Sequence, residues 1–516
     1  MSLKTFAAIS VGSFELSMKI FEFSGKNTIR EIDCLSQRID LGSETYATGM
    51  LSKEKIDDLC RTLLDFQQVM KTYKVDAFRA YGTSALRETK NTLIVLDQIA
   101  QRTGIEVKIL SNSEQRFLDY KSVASKGESF RKIIEEKTAI VDISNGSIQL
   151  SLFDNDALVS TQNLRLGVLR LQELLAHLNA GRDQMEFLVD ELAGAQLAPY
   201  KKLYLKDREI QNIIIMDDYI SPWAIRRAGN DPDKSTIELQ DFDSLMELLR
   251  MAGTMGAAKT LGISEEKVPL VMISAVLTRR IAKVMGATKV WAPGVTLCDG
   301  MAYEYAEEIK MFRGEHDFER DIIACAGGIS KRYMGSRKRA ETLEYLATTI
   351  FDSMKKIHGM GKRERLYLQI AAILHDCGKY VSLVEIGETS YDIIMATEII
   401  GLSHAEREIV ASVVRYNHSD FIYYGYQESR GSNFAGKENY LTIAKLTAIL
   451  RLANSLDRSH KQKLRGMKAQ LLDNELHLNI DTQEDVTLEK GFFDVSADFF
   501  REVFSVVPIL KTKKKF

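Results

Sequence analysis

Two stretches about 130 residues apart repeat one pattern. Residues 7–21 read "AAISVGSFELSMKIF" and residues 138–153 read "TAIVDISNGSIQLSLF". Each is an apolar run, a turn of small residues, and a strand of alternating polarity, which is the pattern of a β-hairpin. A repeat at that separation fits two homologous lobes rather than a solenoid, whose period is far shorter. Two hairpin-led α/β lobes facing each other enclose a cleft lined by their turns.

The surrounding pattern supports the duplication. After the first hairpin, residues 52–72 carry apolar side chains at helical spacing (Ile56, Leu59, Leu63, Phe66, Val69). "DAFRAYGTSALRET" reads as strand, turn and helix start. "IEVKILSNSEQRFLDYKSV" reads as strand, turn and helix, with Ser111 or Ser113 as the N-cap. The second hairpin is followed by a strand near 158–166 and a helix from "VLRLQELLAHL". Residues 336–460 are helical in period almost throughout, and residues 461–516 return to a strand pair and a short helix. The expected organisation is lobe I at 1–130, lobe II at 131–310, a helical domain at 311–460 and a small α+β segment at 461–516.

Composition narrows the function. The 516 residues carry a formal charge of −2, so nothing favours bulk binding of nucleic acid or an anionic membrane. The basic tail "KTKKKF" reads as a solvated terminus. Five scattered cysteines without a CxxC pair fit a reducing compartment. The N-terminus has no signal pattern, and no run of about 18 apolar residues suggests a membrane span. A cytoplasmic location is expected.

Two motifs carry chemistry. "VDISNGSIQL" is a turn of the kind in which a backbone closes on phosphate. Its tip, however, holds Ser144 and Asn145 where glycine would allow closer approach. It reads as a working phosphate loop, a worn one, or an ordinary hairpin. "LHDCGK" places His375 and Asp376 side by side at a helix end, a pair that with a distant His and Asp makes a divalent-metal phosphohydrolase site. The slot for the upstream His is Arg339, that for the downstream Asp is Asn454, and Thr389 stands near the place of a further His. A working metal centre is therefore not expected there.

Taken in order, "AAISVGS", "GTSALRETKN", "ILSNSEQRFL", "VDISNGSIQLSLF", "NLRLGVLRLQEL", "LHDCGK" and "LRLANSLDRSH" resemble the Ppx/GppA family of exopolyphosphatases and guanosine pentaphosphate phosphohydrolases, in its longer form. The resemblance covers essentially the whole chain. It implies two ASKHA lobes (the actin, sugar-kinase and Hsp70 fold) with an appended HD-like helical domain. It also implies Mg²⁺-assisted attack of water on the terminal phosphate of polyphosphate or pppGpp, and a homodimer. By the same resemblance Glu114 is the catalytic base and Asp142 the Mg²⁺ ligand. Gly12, Ser13, Thr83, Arg87, Asn145, Gly146, Ser147, Gly167 and Arg170 bind phosphate, and His375 and Asp376 are the HD remnant.

The departures bear on chemistry. The first loop has Ser10 where the family pattern has Asp, and Phe14 where it has Asn. The second loop closes on Gln149 instead of Glu. A glycine-rich loop expected near 216 carries Asp217 and Asp218, and an Arg-Glu-Gly string near 300 reads Cys298, Asp299, Gly300. Against this background "VDISNGSIQL" reads as a phosphate loop worn by substitution. Two functions stay open: a phosphohydrolase of reduced turnover, or a binding protein that kept the cleft and senses polyphosphate or an alarmone through lobe closure.

Overall fold

The structure, a computed structural model, describes residues 3–25, 28–154, 157–424 and 437–513. It divides into two units, residues 1–317 and 318–516.

In the first unit the repeated hairpins become the same sheet built twice. β1 (Lys4–Val11), β2 (Glu15–Phe23), β3 (Ile29–Arg38), β4 (Ala77–Gly82) and β5 (Val107–Ile109) form a sheet in the order β3-β2-β1-β4-β5. The second sheet comprises β6 (Thr138–Ile143), β7 (Ile148–Asp154), β8 (Ala157–Leu164), β9 (Asn212–Asp217), β10 (Thr236–Glu238) and β11 (Lys289–Trp291). Its order is β8-β7-β6-β9-β11, with β10 added at the edge. In both, an antiparallel meander leads into parallel strands. The registers correspond: Ser10 faces Ser17 across the first hairpin, and Asp142 faces Gln149 across the second.

Period-2 alternation sends β1 into two cores. Ala7, Ile9 and Val11 pack under the helix Lys53–Thr72, while Phe6 and Ala8 meet the helices Asn112–Ala124 and Leu297–Glu308. The latter two helices touch closely at Gly300, where a Cβ would collide with the Leu118 carbonyl. The strand ends and both hairpin turns are thereby held at one cleft.

The second unit is mainly helical, with Arg337–Ser353, Lys362–Leu374, His404–Tyr416 and Lys437–Ser455 supplying its buried faces. The C-terminal region departs from expectation. Beyond the pair β12 (Gly466–Leu472) and β13 (Glu475–Asp481), the helix spans Thr487–Phe504, and a third strand, β14 (Val507–Lys513), joins parallel to β13. Lys511 thus belongs to a strand, and residues 514–516 of the basic tail lie outside the described residues. Among the described residues no helix is long and apolar enough to cross a membrane.

Candidate functional site

The two turns and the C-terminal ends of the central strands enclose a cavity of about 600 Å³. The first turn brings Gly12 and Ser13. The Ser13 hydroxyl sits 2.9 Å from both Tyr46 and Ser84, and those two hydroxyls are 3.0 Å apart. This triangle lies against the second turn, since a Cβ at Gly146 would come within 2.6 Å of Ser84 Oγ and Tyr46 Oη. Thr83 also lines the cavity, its hydroxyl donating to the Val11 carbonyl (3.3 Å). Asn145 lines it too, accepting from Tyr219 (2.6 Å). Of the expected phosphate-binding residues, Gly12, Ser13, Thr83 and Asn145 are therefore gathered at the cleft.

Four aspartates line the same cavity, Asp119, Asp142, Asp217 and Asp218, beside Glu15, which pairs with Lys267. Burial and the field of Asp218 push Asp142 up to about 7. Burial and the neighbouring Asp142 push Asp119 well above the usual carboxylate range. Burial raises Asp217 to about 7 and Asp218 to about 6. Arg116 offsets part of the repulsion on Asp119 and Asp142, and its Nε donates to Gln149 (2.9 Å).

The four are not equivalent. Asp217 is well supplied with donors: the main-chain N–H of Tyr219 (2.5 Å), that of Ile220, and the Ser274 hydroxyl (2.5 Å). It anchors the start of the helix Ile220–Arg227. Asp119 and Asp142 instead each bury one oxygen with no hydrogen-bond donor, and lie within hydrogen-bonding reach of each other. Among the described residues no three His, Cys, Asp or Glu side chains are grouped to hold a metal. A Mg²⁺ site built on one or two carboxylates, waters and substrate phosphates needs no such cage.

The expected base, Glu114, requires correction. Ser111 caps the helix Asn112–Ala124, and Glu114 closes a capping box. Its Oε2 accepts from the Ser111 N–H and its Oε1 from Lys108 Nζ, both at 2.9 Å. Gln115, the next residue, lines the cleft in its place, so the cleft-facing position of this string carries an amide that cannot take a proton.

The arginines are also differently employed. Arg87 donates to the Leu110 carbonyl (2.6 Å) and faces Gln115. Arg170 donates to the Gly146 carbonyl (2.9 Å), pairs with Glu88 and covers the Tyr46 ring. Arg170 thus braces the second turn from outside. Gly167 packs on that turn so tightly that a Cβ would strike the Asn145 carbonyl. Ser147 is buried at its base. Gly167 and Ser147 shape the loop without lining the cavity. Asp119, Gln115 and Tyr46 were not singled out by sequence. The i, i+4 spacing of Gln115 and Asp119, which puts both on one helix face, was the available signal.

In the helical unit His375 and Asp376 do not form a metal site. His375 is fully buried. Its Nδ1 donates to the Ala372 carbonyl (2.8 Å), Nε2 lies 3.5 Å from Asp376, and burial lowers its pKa to about 3. The nearby cation is Arg339, also buried, which reaches Asn454 (2.9 Å), Asp376 (3.5 Å) and Asp457 (3.7 Å). A guanidinium facing these oxygens repels a divalent ion, so the residues do not fit a metal.

Comparison with known proteins agrees with this architecture. The family model described as Ppx/GppA phosphatase family matches residues 23–308, and that described as Ppx/GppA phosphatase, domain III, matches residues 324–494. The guanosine-5'-triphosphate,3'-diphosphate pyrophosphatase of Vibrio atlanticus is 21% identical over 426 residues, covering 80% of each chain. Exopolyphosphatase 1 of Mycobacterium bovis is 24% identical over 220 residues, covering 42% of this chain and 56% of that one. Among solved structures, an exopolyphosphatase from Cytophaga hutchinsonii superposes with a TM-score of 0.53 at 17% identity, over 60% of this chain and all of that one. The duplicated α/β unit fits an ASKHA-like fold.

Proposed function

Because the chain belongs to the Ppx/GppA phosphatase family, we propose that its interlobe cleft binds a phosphate chain and hydrolyses the terminal phosphoanhydride bond, with turnover reduced by the replaced carboxylates. The observation that carries this reading is Asp142. It keeps its place beside the second turn, with a buried oxygen that no hydroxyl, amide or cation meets and only the Asp119 carboxyl within hydrogen-bonding reach, in a cavity whose rim is hydroxyl-rich. Relatives named as a guanosine pentaphosphate pyrophosphatase and an exopolyphosphatase support polyphosphate or pppGpp as substrate.

A magnesium ion suits an unsatisfied buried carboxylate, and Asp142 would hold it. When bound, it supplies the positive charge that stabilises a phosphoryl group under attack. The chain itself brings few spare cations: Lys19 is engaged by Glu31 and Asp299, and Lys267 by Glu15. Ser13, Thr83, Ser84 and Asn145 are placed to hold phosphate oxygens. Gln115 can orient a water through its amide but cannot deprotonate it, which is the physical reason for slow turnover.

One set of observations favours the second reading, a binding protein without turnover: Ser10, Gln115 and Gln149 are all neutral at cleft-facing or hairpin positions of the pattern. The helical unit follows the HD-like scaffold, with Arg339 in place of a metal, and serves structure in either reading.

The test is phosphate release from long-chain polyphosphate and from pppGpp by the purified protein with Mg²⁺, beside Asp142→Asn. Slow release that disappears in the variant supports the hydrolase. No release from either compound, with a melting temperature still raised by one of them, establishes the binding protein instead.

A further inference from the structure

We infer that Asp119 is the second carboxylate of the cleft's divalent-cation site, standing in for the carboxylates absent at Ser10 and Gln149. The inference rests on the hydrolase reading for the role of the cation, and on the geometry of this chain for its position.

The helix Asn112–Ala124 starts from the capping residue Ser111. Gln115 faces the cleft, and Asp119, four residues on, lies on the same face about 6 Å further along the axis. The carboxylate is thus displaced by one helical turn. Its surroundings do not explain it as a structural residue. A buried carboxylate with a structural role is ordinarily met by hydroxyl, amide or cationic donors, yet one Asp119 oxygen has none of these, and the side chain's hydrogen-bonding neighbour is another carboxyl, that of Asp142. Ser122, the hydroxyl one turn on, donates to the Asp119 main-chain carbonyl instead (2.6 Å). Asp142 carries the same unsatisfied oxygen and lies within reach. Both line the cavity, as does the buried Ser221, whose hydroxyl also lacks a partner. The two carboxyls lie within hydrogen-bonding reach of each other, so without a ligand they share a proton, and a divalent cation taking the proton's place would hold both. Two carboxylates, with waters and substrate oxygens completing the shell, are the usual protein share of a Mg²⁺ site.

The probe is Mn²⁺ alone, titrated into the full chain without phosphate compounds and followed by electron paramagnetic resonance. Wild type should bind Mn²⁺ in the cleft. Asp119→Asn, close in size and shape, should weaken binding at least tenfold, with Asp119→Glu falling between. Glu114→Ala, whose carboxylate is held in the helix cap, should bind as wild type does. Asp119→Asn binding within twofold of wild type, or wild type failing to bind Mn²⁺, overturns the inference. Phosphate release separates this from the reading beneath it. Mn²⁺ bound through Asp119 with no phosphate released sinks the hydrolase and keeps the site. Release together with Mn²⁺ binding indifferent to Asp119→Asn sinks the site and keeps the hydrolase.

Discussion

In the helical unit, buried Arg339 reaches Asp376, Asp457 and Asn454. In the cleft, Asp119 and Asp142 each keep a buried oxygen that no donor meets. Both regions bury acidic groups where this fold family leads one to expect metal chemistry. One neutralises them with a cation fixed in the chain, and burial leaves His375 neutral beside it. The other fixes no cation on those two oxygens, and burial keeps its carboxyls protonated. A fixed guanidinium suits a structural role. Carboxyls on a cavity without such a cation are what the ligand site proposed for the cleft rests on.

The sharpest way to break the comparison is to remove the fixed cation. Arg339→Met should destabilise the helical unit by about 3–5 kcal/mol, the usual consequence of stripping one partner from buried charges. Its urea midpoint measures this. A loss under about 1 kcal/mol would show that Arg339 is not what neutralises Asp376 and Asp457.

The two regions should also respond to pH with opposite sign. The folded-state pKa of Asp142, about 7, lies above the ordinary 3.8. The folded chain therefore keeps a proton that the unfolded chain has released. That stabilising contribution is complete below pH 4 and is lost as the pH rises towards 7. Asp376 is held below 3.8, its burial outweighed by the cations Lys379 and Arg339. Its contribution is present at neutral pH and is lost only as the pH falls through its folded value. Without divalent ions, the first unit should lose stability between pH 5 and pH 8, roughly 2–4 kcal/mol of it from Asp142. Asp119, Asp217 and Asp218 act in the same direction, and Asp142→Asn should reduce that slope. A slope unchanged by the substitution would place the titration elsewhere.

Smaller effects sharpen the picture within the cleft. If a missing base limits turnover, Gln115→Glu should raise phosphate release about tenfold or more, since positioned bases contribute about 10²–10⁴-fold. No gain would mean that the water is not bound beside this residue. Glu114→Ala should cost about 1 kcal/mol of stability, the worth of a helix cap, with phosphate release unchanged. Abolished release would restore Glu114 to the reaction.

The echo of the two hairpins was enough to foresee the duplicated lobes, because alternation and turn composition are local properties of the chain. The identity of the cleft-facing residue on the helix Asn112–Ala124 was not legible. Ser111 and Ser113 are both competent caps. Neighbouring residues on a helix point about 100° apart, so whether Glu114 or Gln115 meets the cavity is decided by how the helix packs and not by its cap. Asp119 went unseen because its partner in the cleft, Asp142, lies on a strand that only the fold brings beside this helix. β14 went unseen because "KTKKKF", which supplies its last residues, reads as a solvated terminus. As an edge strand it tolerates proline near its start. The departure at Arg339 was visible in sequence. That its guanidinium would face Asp376 and Asp457 required the packed helices.

The most direct test of the central contrast is hydrogen exchange of the wild-type chain at pH 8 with and without Mg²⁺. The account predicts slower exchange in peptides spanning 112–124 and 138–150 when Mg²⁺ is added, and no change in peptides spanning 337–353 and 370–380. Protection in the helical unit with none in the cleft would contradict it.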